Sequence, residues 1–154
     1  MHAARSRARL AALQALYQLE IAGGGADDVI EEFIEHRFRA DREAHDEAFF
    51  ADLVHGVPKC QVEIDRAIAR SLAENWKLER IDSILRALLR AAAYELIARK
   101  DVPAKVVIDE YVELARDFFD GEEPKFVNAV LDRLARQKRA PEFGLPVPEG
   151  EVEF

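Results

Sequence analysis

Between the Gly23-Gly24-Gly25 triplet and the tail that begins at Pro141, apolar residues recur at spacings of three and four, not two. That period restricts the chain to helices packed on helices. The first helix runs from about Ala4 to Ile21 and stops at the glycine triplet. Asp27 and Asp28 are placed to cap a second, which carries Val29, Ile30, Phe33, Ile34 and Phe38. A third spans roughly Glu43 to His55. Gly56-Val57-Pro58 reads as a break, with Pro58 in the first turn of a fourth helix that reaches about Trp76.

From Glu79 or Asp82 to Arg99 apolar residues nearly encircle the helix axis, which marks the most buried element. Asp101-Val102-Pro103 opens a sixth helix that ends at Gly121. Glu122-Glu123-Pro124 suits the first turn of a last helix to about Arg139. No strand fits the pattern, so the fold class is all-α. Residues 1–139 read as one helical domain, and 140–154, with three prolines and four glutamates, as a disordered acidic tail.

At 154 residues, 49% hydrophobic and 34% charged, the chain can bury a core of ordinary size. No apolar run approaches the ~20 residues of a membrane span. The basic, polar stretch Met1–Arg9 argues against a secretory signal. A single cysteine, Cys60, excludes an internal disulfide and fits a reducing cytoplasm.

Catalytic patterns are missing. His2, His36, His45 and His55 form no His-x-x-x-His pair. Asp52-x-x-His55 is half of a di-metal carboxylate motif without its second copy, so a surface or inter-helix histidine is the simpler reading. Gly-x-Ser-x-Gly and the phosphate-binding Gly-x-x-x-x-Gly-Lys loop do not occur. Cys60 has no nearby histidine or second cysteine and reads as a small packed side chain. The expectation is a protein that is not an enzyme, with no cofactor and no metal.

The net charge of −8 is a poor match for a polyanion, but it is unevenly spread: residues 1–19 carry Arg5, Arg7 and Arg9 and no acid. Arginines in a first helical turn oppose the helix dipole, so stability alone does not call for them. At 100° per residue Arg7, Gln14 and Gln18 form a polar stripe, Tyr17 borders it, and Arg5 and Arg9 pair on another side. Guanidinium on phosphate, amides on base edges and a ring for stacking suit single-stranded RNA. A solvated basic terminus with Tyr17 against the core is the competing reading. At the start of the last helix, Lys125 and Phe126 pose the same choice between a stacking platform and the edge of the core.

Several stretches together resemble the bacterial transcription antitermination factor NusB family. They are Arg-x-Arg-Ala-Arg at 5–9, Leu-Gln-Ala-Leu-Tyr-Gln at 13–18, Leu88-Leu89-Arg90 leading to Ala93-Tyr94-Glu95-Leu96, and Val102-Pro103-Ala104-Lys105-Val106. Glu113-Leu114-Ala115-Arg116 and Lys125-Phe126-Val127-Asn128-Ala129-Val130-Leu131-Asp132 complete the set. The resemblance implies about seven helices in two packed sub-bundles and binding to the boxA element of ribosomal RNA transcripts. It implies a heterodimer with NusE, a small-subunit ribosomal protein, and entry into the RNA polymerase antitermination complex with other Nus factors. Some relatives form homodimers that cover the RNA site.

The family's RNA residues fall on Arg5, Arg7, Arg9, Tyr17, Lys125 and Phe126, to which helix geometry adds Gln14 and Gln18. No motif assigns residues to the NusE surface. Ala129 stands where the family usually has Gly, and Gly121-Glu122-Glu123-Pro124 puts acid near the RNA path. Two other readings are an RNA-binding domain like those attached to ribosomal RNA methyltransferases and a protein-interaction bundle without RNA binding. In the tail, Glu142, Glu149, Glu151 and Glu153 are placed to fold back on the arginines and compete with RNA.

Overall fold

Helix α1, His2–Ala22, opens the computed structural model, which describes residues 2–41 and 43–148. It ends where Gly23 and Gly24 take φ of 76° and 100°, left-handed values that cost glycine little. Helix α2, Ala26–Glu32, continues into a π-helical segment, Phe33–Phe38. Then follow α3, Glu47–Lys59; α4, Gln61–Ser71; a 3-10 turn, Leu78–Arg80; and α5, Ser83–Ala98. Helices α6, Ala104–Phe118, and α7, Glu123–Lys138, precede a second 3-10 turn, Ala140–Phe143. The described residues thus hold seven α-helices and no strand. They form two compact units, Met1–Cys60 and Gln61–Phe154.

In the first unit α1 packs chiefly on α3. Ala8, Ala12, Leu13 and Leu16 of α1 are buried, as are Phe49, Phe50, Leu53 and Val54 of α3. Asp46 caps α3 by accepting the Phe49 N–H at 3.0 Å, so this helix starts four residues later than its apolar pattern predicts. The π-helical segment has a packing reason. In an α-helix residues five apart diverge by about 140°. The wider turn brings Phe33 and Phe38 together on Phe50, with ring centroids 5.4 and 4.8 Å away.

Pro58 does not break the chain where the sequence places the break. It sits in the last turn of α3, and the helices divide at Cys60. Val57 is buried on the same face as Phe50, Leu53 and Val54, and holding that face in register outweighs the one hydrogen bond a proline omits.

In the second unit α5 packs on α4, α6 and α7, and eleven of its sixteen residues are buried, as its encircling apolar pattern predicts. Asp82 caps it, accepting N–H bonds from Ile84 at 2.9 Å and Leu85 at 3.2 Å. Helix α4 ends at Ser71, short of the expected Trp76.

The segment from 140, read from sequence as the beginning of the tail, continues the fold for at least one turn. Ala140 is buried, and Glu142 accepts the Ala104 N–H at the start of α6 at 2.9 Å and pairs with Arg139 at 2.6 Å. Glu142 is therefore engaged within its own unit and is not a competitor for the N-terminal arginines. Glu149, Glu151 and Glu153 lie outside the described residues.

Candidate nucleic-acid interface

Helix α1 carries its arginines toward the segment that leads into α3. Arg5 Nε lies 3.3 Å from Asp46 Oδ2, the same carboxylate whose other oxygen caps α3. Arg7 Nε donates to the Ala44 carbonyl at 2.6 Å, and its Nη1 pairs with Glu43 at 3.0 Å. Both side chains remain partly open to solvent. Arg9 differs: it is 2% exposed, and its guanidinium lies 5.0 Å from the Phe49 ring centroid, with that of Arg5 at 4.6 Å. The sequence grouped three arginines as one basic end. The fold separates two reachable cations from a third that packs against an aromatic face.

Gln14, Tyr17 and Gln18 are all half-buried. The Gln14 side-chain carbonyl is turned inward and has no hydrogen-bond partner among the described residues. Tyr17 thus stands at the border of the buried face, where the helix geometry puts it.

At the start of α7, Lys125 is exposed, with only 16% of its side chain screened, and its Nζ lies 3.5 Å from Glu122. Phe126 is half-buried. Its ring sits 5.1 Å from that of Trp76, tilted by 43°, in the connection after α4. Nothing in the sequence links the two: fifty positions separate them, and Trp76 reads simply as the end of α4. Beside Lys125 a cleft of about 920 Å³ lies between α6 and α7, lined among others by Asp109, Glu113, Arg116, Asp120 and Asn128. Its acids make this a mixed surface, in contrast to a continuous cationic groove.

Among the described residues the histidines gather no metal site. His55 Nε2 lies 2.5 Å from Asp27 Oδ1, and His45 stacks on Phe38 with centroids 4.2 Å apart. Among the described residues no three His, Cys, Asp or Glu side chains are grouped to hold a metal ion, and no helix is long and apolar enough to cross a membrane.

Comparison with known proteins decides the family. The NusB family profile matches residues 6–136. The chain belongs to the NusB family. It is 56% identical over 140 residues to the transcription antitermination protein NusB of Caulobacter vibrioides, covering 88% of this chain and 94% of that one. The structure of T. maritima NusB superposes with a TM-score of 0.78 at 34% identity, covering 92% of this chain and 97% of that one. A crystal structure of antitermination factors NusB and NusE in complex with dsRNA aligns with a TM-score of 0.75 at 26% identity, covering 88% and 98%. The family thus rests on nearly the whole chain and not on its arginine-rich end alone.

Proposed function

We propose that the chain is a non-enzymatic, cytoplasmic RNA-binding antitermination factor. It joins NusE on boxA-type RNA and enters the RNA polymerase antitermination complex with other Nus factors. The observation that carries this reading is the match across residues 6–136 to a family whose relatives are antitermination proteins, with one aligned neighbour solved together with NusE and RNA.

The geometry supports a division of labour among the candidate residues. Arg5 and Arg7 contact phosphate, Arg9 packs on the Phe49 ring that Arg5 also meets, and Lys125 supplies a separate cation. Tyr17 and Phe126 stack on bases, while Gln14 and Gln18 border Tyr17 on α1. The Arg5–Asp46 and Arg7–Glu43 pairs do not block this role. Partly exposed ion pairs are worth only ~0.2–1 kcal/mol, so a phosphate can displace or share the carboxylate at little cost. Meanwhile they keep two flexible side chains extended in one place.

Fluorescence anisotropy with labelled single-stranded boxA RNA, with and without NusE, tests the reading. Three phosphate contacts predict a log–log salt slope of about −2, and NusE should tighten binding. The double variant Arg5→Ala, Arg7→Ala should lose most of the partner-enhanced binding. If wild type and double variant bind equally weakly, with and without NusE, the chain is a protein-docking bundle and its basic end is solvated surface.

A further inference from the structure

We propose that Trp76 is an RNA-contact residue, forming with Phe126 a two-ring platform on which unpaired bases stack. This rests on the RNA reading above and extends it to a residue that the family motifs do not include.

The indole is 49% exposed, the largest side chain so exposed among the described residues. A single exposed apolar residue needs no explanation by itself. Here, however, the ring is not isolated: it lies 5.1 Å from Phe126, and Phe126 follows an exposed lysine. Two adjacent aromatic faces beside an exposed cation are the elements of single-strand recognition. Bases offer π-faces to the rings, and the backbone phosphate meets the ammonium.

The fold also fixes where the indole stands. Arg133 lies two helical turns beyond Phe126 on α7, and its Nε donates to the Ser71 carbonyl at the end of α4 at 2.7 Å. The connection from 72 to 77 is therefore tied to α7 at one end by Arg133 and at the other by the Trp76–Phe126 contact. Between them a turn closes, with the Trp76 N–H donating to the Ala73 carbonyl at 2.9 Å. A ring held at both flanks loses little freedom when a base stacks on it.

Trp76 is the chain's one tryptophan, so its emission reports on this position alone. The experiment titrates the full chain with single-stranded boxA RNA, with the duplex of the same sequence and with NusE, reading tryptophan fluorescence and RNA anisotropy in parallel. Single strands should quench the emission along the same curve as the anisotropy, and the duplex should not, since its bases are already stacked. Trp76→Ala should weaken single-strand binding by about tenfold, and Trp76→Phe should retain most of it. Thermal melts of the two variants verify that the half-exposed position leaves the fold intact.

If RNA binds while the emission stays constant and Trp76→Ala binds like wild type, the platform is overturned and the RNA reading survives. Equal quenching by duplex and single strand overturns base stacking. If NusE alone moves the emission to its end point and RNA adds nothing, the indole is a protein contact. Absence of RNA binding by anisotropy, with and without NusE, overturns both readings together.

Discussion

Arg9 in the first unit and Arg139 in the second are equally withdrawn from water, at 2% and 3% exposure, and different groups stand around them. Arg9 lays its guanidinium against the Phe49 ring, beside Arg5. Arg139 spends every N–H donor on oxygen. Its Nε reaches the Leu96 carbonyl at 2.7 Å, and its two terminal nitrogens reach the carbonyls of Val102, Glu95 and Arg99 and the carboxylate of Glu142. Glu95 and Leu96 are in the last turn of α5, where carbonyls run out of helical partners and the dipole is negative; the Glu95 carbonyl also accepts the Arg99 N–H at 2.9 Å. A buried arginine is thus no sign of function by itself. What surrounds the guanidinium separates a residue that closes a helix end from one that supports a cationic surface.

Removing each arginine should widen that contrast. Arg139→Ala takes the arginine donor from the buried Leu96 and Val102 carbonyls and a second donor from the carbonyls of Glu95 and Arg99 and from the Glu142 carboxylate, and unfolding by urea should show a loss of about 3–5 kcal/mol. Arg139→Lys should recover little, because one ammonium cannot reach acceptors arranged around a planar fork. Arg9→Ala removes packing and a desolvated cation–π contact, a loss of ~2 kcal/mol. Its RNA affinity, measured well below the melting temperature, should stay within about twofold of wild type. A large affinity loss with unchanged stability would instead make Arg9 a direct RNA contact and erase the distinction.

Glu142 sharpens the same comparison through pH. Burial pushes its carboxyl up, but the Ala104 N–H, the bond and charge of Arg139, and the charge of Lys100 outweigh that and hold it below its ordinary value. A carboxyl lowered in the folded state stabilises the fold above the ordinary carboxylate range, and that contribution is lost as pH falls through the lowered value. Glu142→Gln should therefore be less stable than wild type near neutral pH, by less than the Arg139→Ala loss because the carboxylate is 40% exposed. The gap should close in acid. A gap that is constant from neutral to acid pH would show that the charge of Glu142 is irrelevant to the clasp.

These features divide by how far along the chain they reach. Helices α1, α5, α6 and α7 are legible because their apolar period and their stops are local, and the cap Asp82 needs only three or four residues of context; Asp27 and Asp28, expected as caps, instead lie in the first turn of α2 behind an N-cap at Gly25. Pro58 was misplaced because burial of Val57 is a tertiary effect that overrides a local breaker. The candidate RNA residues were legible as types at helix positions, not as environments. Phe49, forty residues from Arg9, decides that Arg9 is packed; Asp46 and Glu43 decide that Arg5 and Arg7 are held. Trp76 and Arg139 gave no signal, since their partners come from other helices.

The smallest expected effect compares the two reachable cations that differ most in order. Arg7 is fixed by the Ala44 carbonyl and Glu43, whereas Lys125 is 84% exposed with one loose partner. Each replaces one counterion, so Arg7→Ala and Lys125→Ala should each flatten the salt slope by about 0.7 for a single strand. Affinity should separate them. A lysine that must be ordered on binding forfeits up to ~2 kcal/mol of side-chain entropy, while Arg7 has already lost most of its freedom in the folded chain. At one moderate salt concentration Arg7→Ala should therefore weaken RNA binding several-fold more than Lys125→Ala, with melting temperatures of both close to wild type. Equal affinity losses at equal slopes would mean that the contacts of Arg7 with 43–44 do not prepare it for RNA, and that phosphate must first break them at a cost matching the ordering of Lys125.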